Sequence, residues 1–389
     1  MIPLTYNTRS LWVRRGTTAM TVLGVALVVF VFASTLMLAE GVERTLHAGG
    51  GDDLALVIRK GTDSELASIV ENDKVGIVLS APGVRKGVDG APLGTGEVAM
   101  IVLLAPVGDP EGLSNVQVRG VDADVQRFRP SVRVVEGRMM EPGTDEAMVG
   151  RAIAGRFEGL VVGGAIEPKK NRPLTIVGVF ADEGSPLESE VWAGLDTVRG
   201  AFGRQAMVSS VRVRLESPAA FDGFEAAIEG DRRLGLEAIT EDDWRVRQSQ
   251  SLSLFVTVLG TVISFFLGLG AMVGAMITMY SSIANRQREI GTLRALGFSP
   301  RQVLLSFLIE SLILAAAGGL VGSAAALAMS RVEFSMLNFA TYSEMVFTFR
   351  PSLGIFASTW VATSVMGLLG GLLPAVRAAR MSPVLAMRH

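Results

Sequence analysis

Residues able to carry out chemistry are few in this chain of 389 residues. Cysteine is absent, which excludes disulfides and thiolate metal sites. Only His47 and His389 could supply an imidazole, so no zinc cluster is expected. The acidic pairs Asp52–Asp53 and Asp242–Asp243 are better explained as turn or helix-start residues than as acid/base dyads. We therefore expect neither catalytic residues nor a metal site.

Nucleotide chemistry is not expected from this chain alone. A Walker A loop needs a lysine directly after a glycine, and none of the five lysines follows one. No serine lies in the G-x-S-x-G pattern of a hydrolase nucleophile. The net charge of −2 gives no indication of a nucleic-acid partner.

Four long apolar runs predict membrane-spanning helices. Nearly half of the residues are apolar and 19% are charged, which indicates spans plus a water-exposed domain. At about 1.5 Å per residue, each run is long enough to cross a hydrocarbon core of roughly 30 Å. We predict transmembrane helices 1 to 4 at residues 19–39, 252–280, 303–329 and 353–373. The first run is too long for a signal peptide and lacks a small-residue cleavage site, which favours an uncleaved anchor.

The arginines of the short loops predict the orientation. Three segments are rich in arginine and carry at most one acid: they contain Arg9, Arg14 and Arg15, then Arg286, Arg288, Arg294 and Arg301, then Arg377, Arg380 and Arg388. Such segments remain in the cytoplasm. We therefore expect cytoplasmic segments at 1–18, 281–302 and 374–389, with both termini inside. The block 40–251 and the loop 330–352 are expected outside.

The block between the first two spans has the pattern of a folded α+β domain. Strand-like runs separated by Gly and Pro turn signals occur at 54–59, 116–121, 131–137, 174–180 and 209–215. Helical patterns occur at 63–73 and 221–231. The fold class is therefore a polytopic α-helical membrane protein with four transmembrane helices and an α+β extracytoplasmic domain between the first and second.

Both exits from this domain have features suited to transmitting movement. Gly49, Gly50 and Gly51 predict a flexible joint after span 1. Thr240 can cap a helix with acids in its first turn, and that helix would run into span 2 as a stalk. An ordinary loop with a local turn is the alternative.

Glycines four residues apart predict close packing of the spans, because helices in lipid associate where small residues let their backbones approach. The pairs lie in spans 2, 3 and 4: Gly270 and Gly274, Gly318 and Gly322, and Gly367 and Gly371. Span 1 lacks the pattern, so we expect it to pack elsewhere, with a second copy as one candidate.

Glu310 lies about two turns inside span 3. A charge at this depth is costly and usually faces protein or water. It is either a proton or ion site, or a structural carboxylate paired with an arginine near the cytoplasm or with a backbone donor. Because no second ionisable group lies inside the spans, a proton relay would have no next residue, and we favour the structural interpretation.

The charged loop between spans 2 and 3 predicts a short amphipathic helix. Ile290, Leu293 and Gly297 fall on one stripe with Leu296 beside it, and Gly297 is a natural helix end. Arg286 is spaced to pair with Glu289.

A second helix is expected to start directly after this one. Ser299 can cap it, Pro300 suits its first position, and Gln302 completes a capping box. The short helix before it could lie on lipid or dock into a protein groove. Glu289 and the small residues Gly291 and Ala295 favour the groove.

The stretch REIGTLRALGFSPRQV, followed by FLIESLILAAAGGLVG, resembles the signature of FtsX-like ABC transporter permeases of the MacB type. The terminal PAVRAARMSPVLAMR is similar to that family's C-terminal segment. The run VRGVDADVQRFRPSVRVVEGRMM, with AMVGRAIAG and LTIVGVF after it, resembles the family's periplasmic domain.

This resemblance implies a dimer of permease copies, homomeric or heteromeric, in the bacterial inner membrane. It also implies a cytosolic ABC ATPase that binds ATP and magnesium and receives the loop between spans 2 and 3 in its cleft. Only about 18 residues precede span 1, so we expect this ATPase to be a separate polypeptide. Glu310 matches the family's glutamate in the third span. The ATPase-coupling residues carried onto this chain are Arg288, Glu289, Gly291, Leu293, Arg294, Ala295 and Gly297.

The expected function is mechanotransmission: the ATPase shifts the coupling loop, and stalk helices move the external domain to export or extract a periplasmic or membrane-derived substrate. The alternative is an FtsX-like regulatory or sensory protein that transmits ATPase state to an external cell-wall hydrolase or signalling partner. A periplasmic membrane-fusion or adaptor protein is a further candidate partner. The chain itself is expected to bind no cofactor, and its remaining contacts are with the lipid bilayer.

Overall fold

The computed structural model describes residues 15–48, 51–122, 125–338 and 343–381. Parts of the predicted terminal segments lie outside the described residues, as do Gly49 and Gly50 of the expected joint. The chain divides into a helical unit, Met1–Gly41, Leu254–Glu333 and Thr348–His389, and a β-rich unit, Val42–Ser253 and Phe334–Phe347.

Nine α-helices occur in the described residues: α1 Arg15–His47, α2 Asn72–Leu79, α3 Val125–Phe128, α4 Leu195–Phe202, α5 Phe221–Gly230, α6 Glu241–Asn285, α7 Gln287–Ala295, α8 Pro300–Ala328 and α9 Leu353–Ala379. Four of them, α1, α6, α8 and α9, are long and apolar enough to cross a membrane. The β-rich unit follows the first of these in the chain, so the predicted fold class is confirmed.

The strands are β1 Leu54–Arg59, β2 Val70–Glu71, β3 Gly94–Leu104, β4 Ser114–Val121, β5 Arg133–Gly137, β6 Glu146–Gly150, β7 Ala165–Lys169, β8 Arg172–Ala181, β9 Glu190–Gly194, β10 Met207–Val208, β11 Ser210–Arg214, β12 Leu236–Thr240, β13 Glu333–Asn338 and β14 Ser343–Thr348. The main sheet has the order β12-β1-β11-β3-β4-β9-β6-β8-β5, with β7 on β8. Its pairs are antiparallel except β4 with β9 and β6 with β8.

The core of the β-rich unit forms because its central strands are buried on both faces. In β1, five of six residues are buried, and in β11, four of five. The helices α4 and α5 bury Val198, Phe224 and Ile228 against this sheet. A second apolar cluster includes Phe180 and Trp192, whose rings stack with centroids 4.2 Å apart.

The helix expected at 63–73 is not present. Residues 63–69 form turns, β2 takes residues 70 and 71, and α2 starts at Asn72. The turn directs the buried Glu65 carboxylate to Arg119, Arg212 and Ser210. These long-range ion pairs outweigh the local helical pattern.

The expected stalk is a continuous helix, α6, of 45 residues. Its first turn is capped as predicted, with the Asp243 amide donating to Thr240 Oγ1 at 3.0 Å. The Thr240 hydroxyl in turn donates to Asp243 Oδ2 at 2.7 Å. The alternative of an ordinary loop is therefore not what forms here.

The loop expected at 330–352 contains an antiparallel hairpin of β13 and β14. Residues Phe334–Phe347 belong to the β-rich unit. The Val346 amide donates to Ser189 Oγ at 3.3 Å, which attaches the hairpin to that unit.

The helical unit is built around close backbone contacts of α8. A Cβ at Gly318 would lie 2.6 Å from Val25 Cβ, and one at Gly322 would lie 2.5 Å from the Ala26 carbonyl oxygen. Span 1 therefore packs on the glycines of span 3 in the same chain, which corrects the expectation that it packs elsewhere.

The fourth span approaches α8 in the same way. A Cβ at Gly367 would lie 2.6 Å from Ala315 Cβ, and one at Gly371 would meet Ser311 Oγ. Glycines in both helices thus bring α8 close to α1 and to α9.

The glycines expected to pack in α6 do not do so within this chain. At Gly270 and Gly274, an added Cβ would have no described atom within 4 Å. The α6 contact uses Gly260 instead, where a Cβ would collide with Thr35 of α1.

We predict that Gly318→Val destabilises the purified full chain, whereas Gly24→Val, with no described atom within 4 Å of its Cβ position, does not. Both changes replace glycine by valine in a helix, so their helix propensities match. Overpacking at Gly318 should cost about 1–3 kcal/mol. Thermal unfolding in detergent measures this, and equal midpoints for the two variants would contradict the assigned contact.

Candidate functional site

The short helix α7 is separated from α6 by a single residue, Arg286, whose backbone angles are φ −117° and ψ 18°. Helix α7 is followed by a glycine with positive φ, Gly297 at +94°. There the Gly297 amide donates to the Arg294 carbonyl and the Phe298 amide to the Leu293 carbonyl, both at 3.2 Å. This satisfies terminal carbonyls and fixes the turn.

The next helix starts with the predicted capping box. Gln302 N donates to Ser299 Oγ at 3.4 Å, and Ser299 N donates to Gln302 Oε1 at 2.9 Å. Pro300 occupies the first turn. The Arg294 guanidinium also donates to the Phe298 carbonyl at 3.1 Å, so the turn between α7 and α8 is held from both sides.

Arg286 joins three elements at the start of α7. Its Nε donates to Glu289 Oε2 at 3.1 Å, and its Nη1 donates to Glu310 Oε2 at 3.2 Å. The guanidinium carbon lies 5.6 Å from the centre of the Phe307 ring. Glu310, in α8, thus has the arginine partner that the structural interpretation of this glutamate required.

Helix α7 packs on the helical unit through Ile290, which is 1% exposed. It belongs to an apolar cluster that includes Met279 and Ile283 of α6, Val303 and Phe307 of α8, and Ala375 and Ala378 of α9. One side of α7 is therefore buried and the other remains open.

The expected coupling residues fall on both sides of α7. Arg288, Glu289, Ala295 and Gly297 are exposed, and Leu293 and Arg294 are half-buried. Gly291 is buried next to Ile290. A surface contact by Gly291 is therefore not available, because this residue lies on the packed side of the helix. Leu296, which the sequence placed beside the apolar stripe, is 72% exposed.

The β-rich unit contains a second concentration of charge, the ion cluster. It comprises four carboxylates and four guanidinium groups: Glu65, Glu97, Glu190, Glu241, Arg119, Arg129, Arg212 and Arg245. No member is more than 7% exposed, and the formal charges balance. Burial of these charges is tolerable only because they are paired.

Arg119 lies at the centre of the ion cluster and uses its whole fork of donors. It donates to the two oxygens of Glu190 at 2.7 and 2.8 Å and to Glu97 at 2.8 Å. It also donates to both oxygens of Glu65, at 3.1 and 3.3 Å.

Glu241, the first residue of α6, is held by three arginines. Its Oε1 accepts from Arg212 at 2.8 Å and from Arg129 at 3.1 Å, and lies 3.4 Å from Arg245 Nη2. Arg212 also donates to Glu65 at 2.7 Å and to Glu97 at 2.9 Å. The start of α6 is thereby tied to the sheet.

Strand register explains why these charges meet. Ser210 of β11 pairs with Glu97 of β3, and Ala99 of β3 pairs with Arg119 of β4. Gln117 of β4 pairs with Glu190 of β9. Because residues two apart share a face, Arg212, Glu97, Arg119 and Glu190 lie on one face of four neighbouring strands.

The pairing in the ion cluster shifts the pKa values of its carboxylates. Burial raises the pKa of Glu241, but the charges of Arg129, Arg212 and Arg245 outweigh it and lower the pKa to about 2. Burial likewise opposes the charges of Arg119 and Arg212 at Glu65, and the net effect places the pKa of Glu65 far below its usual range. Both carboxylates are therefore ionised at neutral pH.

The sequence interpretation missed the ion cluster. Its signal is a charged residue between buried neighbours in a short strand, such as Arg212 between Val211 and Val213. Within residues 15–48, 51–122, 125–338 and 343–381, no group of three or more His, Cys, Asp or Glu side chains is arranged to hold a metal ion.

The architecture is that of a four-helix membrane protein with a large domain inserted after the first helix. A family model described as "MacB-like periplasmic core domain" matches residues 18–231, and one described as "FtsX-like permease C-terminal" matches residues 252–383. The chain belongs to the MacB/FtsX-like family of ABC transporter permeases.

Curated relatives match the chain over part of their length. The Escherichia coli (strain K12) protein named "Macrolide export ATP-binding/permease protein MacB" is 31% identical over 231 residues, which cover 56% of this chain and 34% of that protein. The protein of the same name from Burkholderia lata is 28% identical over 228 residues, covering 56% and 32%. The matched part is about a third of the length of these relatives.

Two solved structures are similar to part of the chain. The periplasmic region of MacB from Actinobacillus actinomycetemcomitans is 10% identical, with a TM-score of 0.37, over 52% of this chain and 94% of that one. The extracellular domain of the noncanonic ABC-type transporter YknZ from Gram-positive bacteria is 14% identical, with a TM-score of 0.36, over 48% and 100%.

We predict that Arg119→Met destabilises the chain by about 3–5 kcal/mol, because it removes the arginine paired with the buried Glu190 and leaves Glu65 and Glu97 to Arg212. The matched control is Arg233→Met, since Arg233 pairs with Asp231 but its side chain is 90% exposed. Urea unfolding followed by tryptophan fluorescence measures the difference. If Arg119→Met lowers the free energy of unfolding no more than the control does, Arg119 is not a central partner in the ion cluster.

We also predict that stability falls in acid through Glu241. Its pKa is about 2 in the folded chain, against roughly 4.3 in an unfolded chain. Below pH ~4.3 the unfolded state takes up the proton first, so stability declines as pH falls toward 2. The loss should reach about 3 kcal/mol.

The control for this prediction is the exposed Glu216. Urea unfolding between pH 6 and pH 3 should show a shallower pH dependence for Glu241→Gln than for Glu216→Gln. Parallel curves for the two variants would be inconsistent with a low pKa at Glu241.

Proposed function

We propose that the chain is the permease subunit of a MacB-type ABC transporter and works by mechanotransmission. A separate cytosolic ATPase would bind ATP and magnesium and move α7. The membrane helices would carry this movement to the β-rich domain, which would act on a periplasmic or membrane-derived substrate for export or extraction. The chain itself would have no catalytic role.

The observation that carries this proposal is the continuity of α6. This helix includes 45 residues without a break, a length of roughly 65 Å at 1.5 Å per residue. Its first residue, Glu241, belongs to the ion cluster, and α7 begins two residues after its last. One continuous helix therefore begins in the ion cluster and ends two residues before α7 starts.

The ion cluster attaches the first residue of α6 to the β-rich unit. Separating Glu241 from its arginines would leave buried charges unpaired, which is far more costly than a small displacement of the sheet. Trp244, one turn into α6, packs with Leu56, Ile58 and Ile239 and adds an apolar attachment. A movement of α6 is therefore transmitted to the sheet rather than lost at the helix start.

The exposed side of α7 is the proposed contact for the ATPase. Arg288, Glu289 and Ala295 lie on this side, with Gly297 just after the helix end, and the positive-inside pattern supports a cytoplasmic location for α7 and both termini. The buried side, with Ile290 and Gly291, would hold α7 on the bundle while the partner moves it.

A second permease copy is the proposed neighbour of α6. Gly270 and Gly274 lie on an exposed apolar face of this helix with Phe266, Val273 and Ile277. Small residues four apart permit close approach of another helix in lipid. A periplasmic adaptor or membrane-fusion protein remains a further proposed partner.

We predict that Ala295→Trp weakens co-purification of an ABC ATPase with the tagged full chain by at least five-fold. The added ring would obstruct the exposed side of α7 without removing any described ion pair. Ala284→Trp is the matched control, because Ala284 is exposed in the last turn of α6. Quantitative mass spectrometry of the purified complex gives the ratio.

Equal recovery of the ATPase with Ala295→Trp and Ala284→Trp would show that α7 is not the contact. If no ABC ATPase co-purifies with the unmodified chain, the proposed function is overturned. Where the complex is recovered, ATP hydrolysis in the presence of lipoproteins, peptides and drugs identifies the cargo class by stimulation.

A further inference from the structure

We infer that Arg286 is a positioning residue that makes α7 and α8 one rigid lever, so that movement imposed on α7 is delivered to the third span. This inference rests on the proposed function, because it specifies how the coupling segment transmits movement. It adds a residue outside the expected coupling set and assigns it a mechanical role.

The geometry is that of a helical hairpin closed at both ends. At one end, the α7–α8 turn is fixed by the capping box and by the bond from Arg294 to the Phe298 carbonyl. Helix α7 has nine residues, and Glu310 lies ten residues after Pro300. These are lengths of roughly 13 and 15 Å, so Arg286 and Glu310 stand level at the other end. Their ion pair closes it.

The chemistry at this point requires arginine. Arg286 is 7% exposed, and its guanidinium contacts Glu289 on α7 and Glu310 on α8 through different nitrogens. Arginine spreads its donors over three nitrogens of a planar fork, whereas all three donors of lysine lie on a single nitrogen. Lysine at this position would retain the charge and lose the bridge.

Helix α8 is suited to receive the movement. Its glycines at 318 and 322 contact α1, and Gly367 and Gly371 of α9 contact α8. A displacement of α8 therefore reaches two further spans through contacts that have no room to yield.

The competing possibility is a hinge at Arg286. The backbone there leaves helical geometry between α6 and α7, so α7 could swing at this residue if nothing held it to α8. The two possibilities differ in which distance changes when α7 moves. In a clasped hairpin the distance from α7 to α8 stays constant and the distance from α7 to α6 changes.

The test uses paired spin labels on the full chain in nanodiscs. The chain has no cysteine, so introduced cysteines are the sole labelling sites. One pair joins Thr292 of α7 to Val321 of α8, and the other joins Thr292 to Phe266 of α6; all three positions are exposed. Each pair is measured in the unmodified background, in Arg286→Lys and in Arg301→Lys, a control in the exposed first turn of α8.

For the chain alone, we expect a narrow Thr292–Val321 distance distribution that broadens at least two-fold in Arg286→Lys and is unchanged in Arg301→Lys. Glu289→Gln, which removes the exposed partner only, should broaden it less. This variant keeps the test decisive if Arg286→Lys does not fold. Equal widths in all backgrounds overturn the inference.

With the co-purified ATPase, ATP-bound and nucleotide-free states are compared. We expect the Thr292–Phe266 distance to change and the Thr292–Val321 distance to stay constant. A change in the Thr292–Val321 distance with a constant Thr292–Phe266 distance would overturn the inference about Arg286 and leave the proposed function intact. If neither distance responds to nucleotide and no ATPase is bound, the proposed function fails, although the chain-alone result still reports on Arg286.

Discussion

Close backbone approach in a lipid environment is the constraint on which the helical unit depends. Apolar side chains gain nothing by leaving lipid for one another, so spans associate through packing and polar contacts. Here the packing is concentrated on α8, where Gly318 and Gly322 accept valines and a backbone carbonyl of α1. The third span is consequently the structural centre of the bundle.

Buried ion pairs lie at both ends of the long helix α6 and hold different elements together at each end. At Glu241, burial among three arginines fixes the helix start to a sheet. At Arg286, one guanidinium joins α7 to α8 just beyond the helix end. In each case an unpaired charge would be expensive, which makes the pairing a strong geometric restraint even where its net contribution to stability is small.

The fold class and the existence of the four long helices could be predicted from the sequence because hydropathy and length act locally. The capping box at Ser299 and the cap at Thr240 were predictable for the same reason. The prediction of a helix at 63–73 was wrong because Glu65 forms ion pairs with Arg119 and Arg212, which are distant in the chain. No local pattern contains that information.

Glycine spacing predicted which residues pack closely in α8 and α9, but it did not predict which neighbouring helix each glycine contacts. Gly270 and Gly274 have the same spacing as Gly318 and Gly322, but the side of α6 that meets α1 is set by Gly260, where a side chain would collide with Thr35. The partner of a small residue depends on helix rotation, which one sequence does not specify. For Glu310, the sequence predicted as one option a pairing with an arginine near the cytoplasm, but it did not identify that arginine as Arg286.

The hairpin of β13 and β14 means that the β-rich unit is tethered to all four spans. Its main segment continues from α1 and into α6, whereas the hairpin continues from α8 and into α9. The β-rich unit is therefore built from two separate stretches of the chain, and each stretch is preceded and followed by one of the long apolar helices.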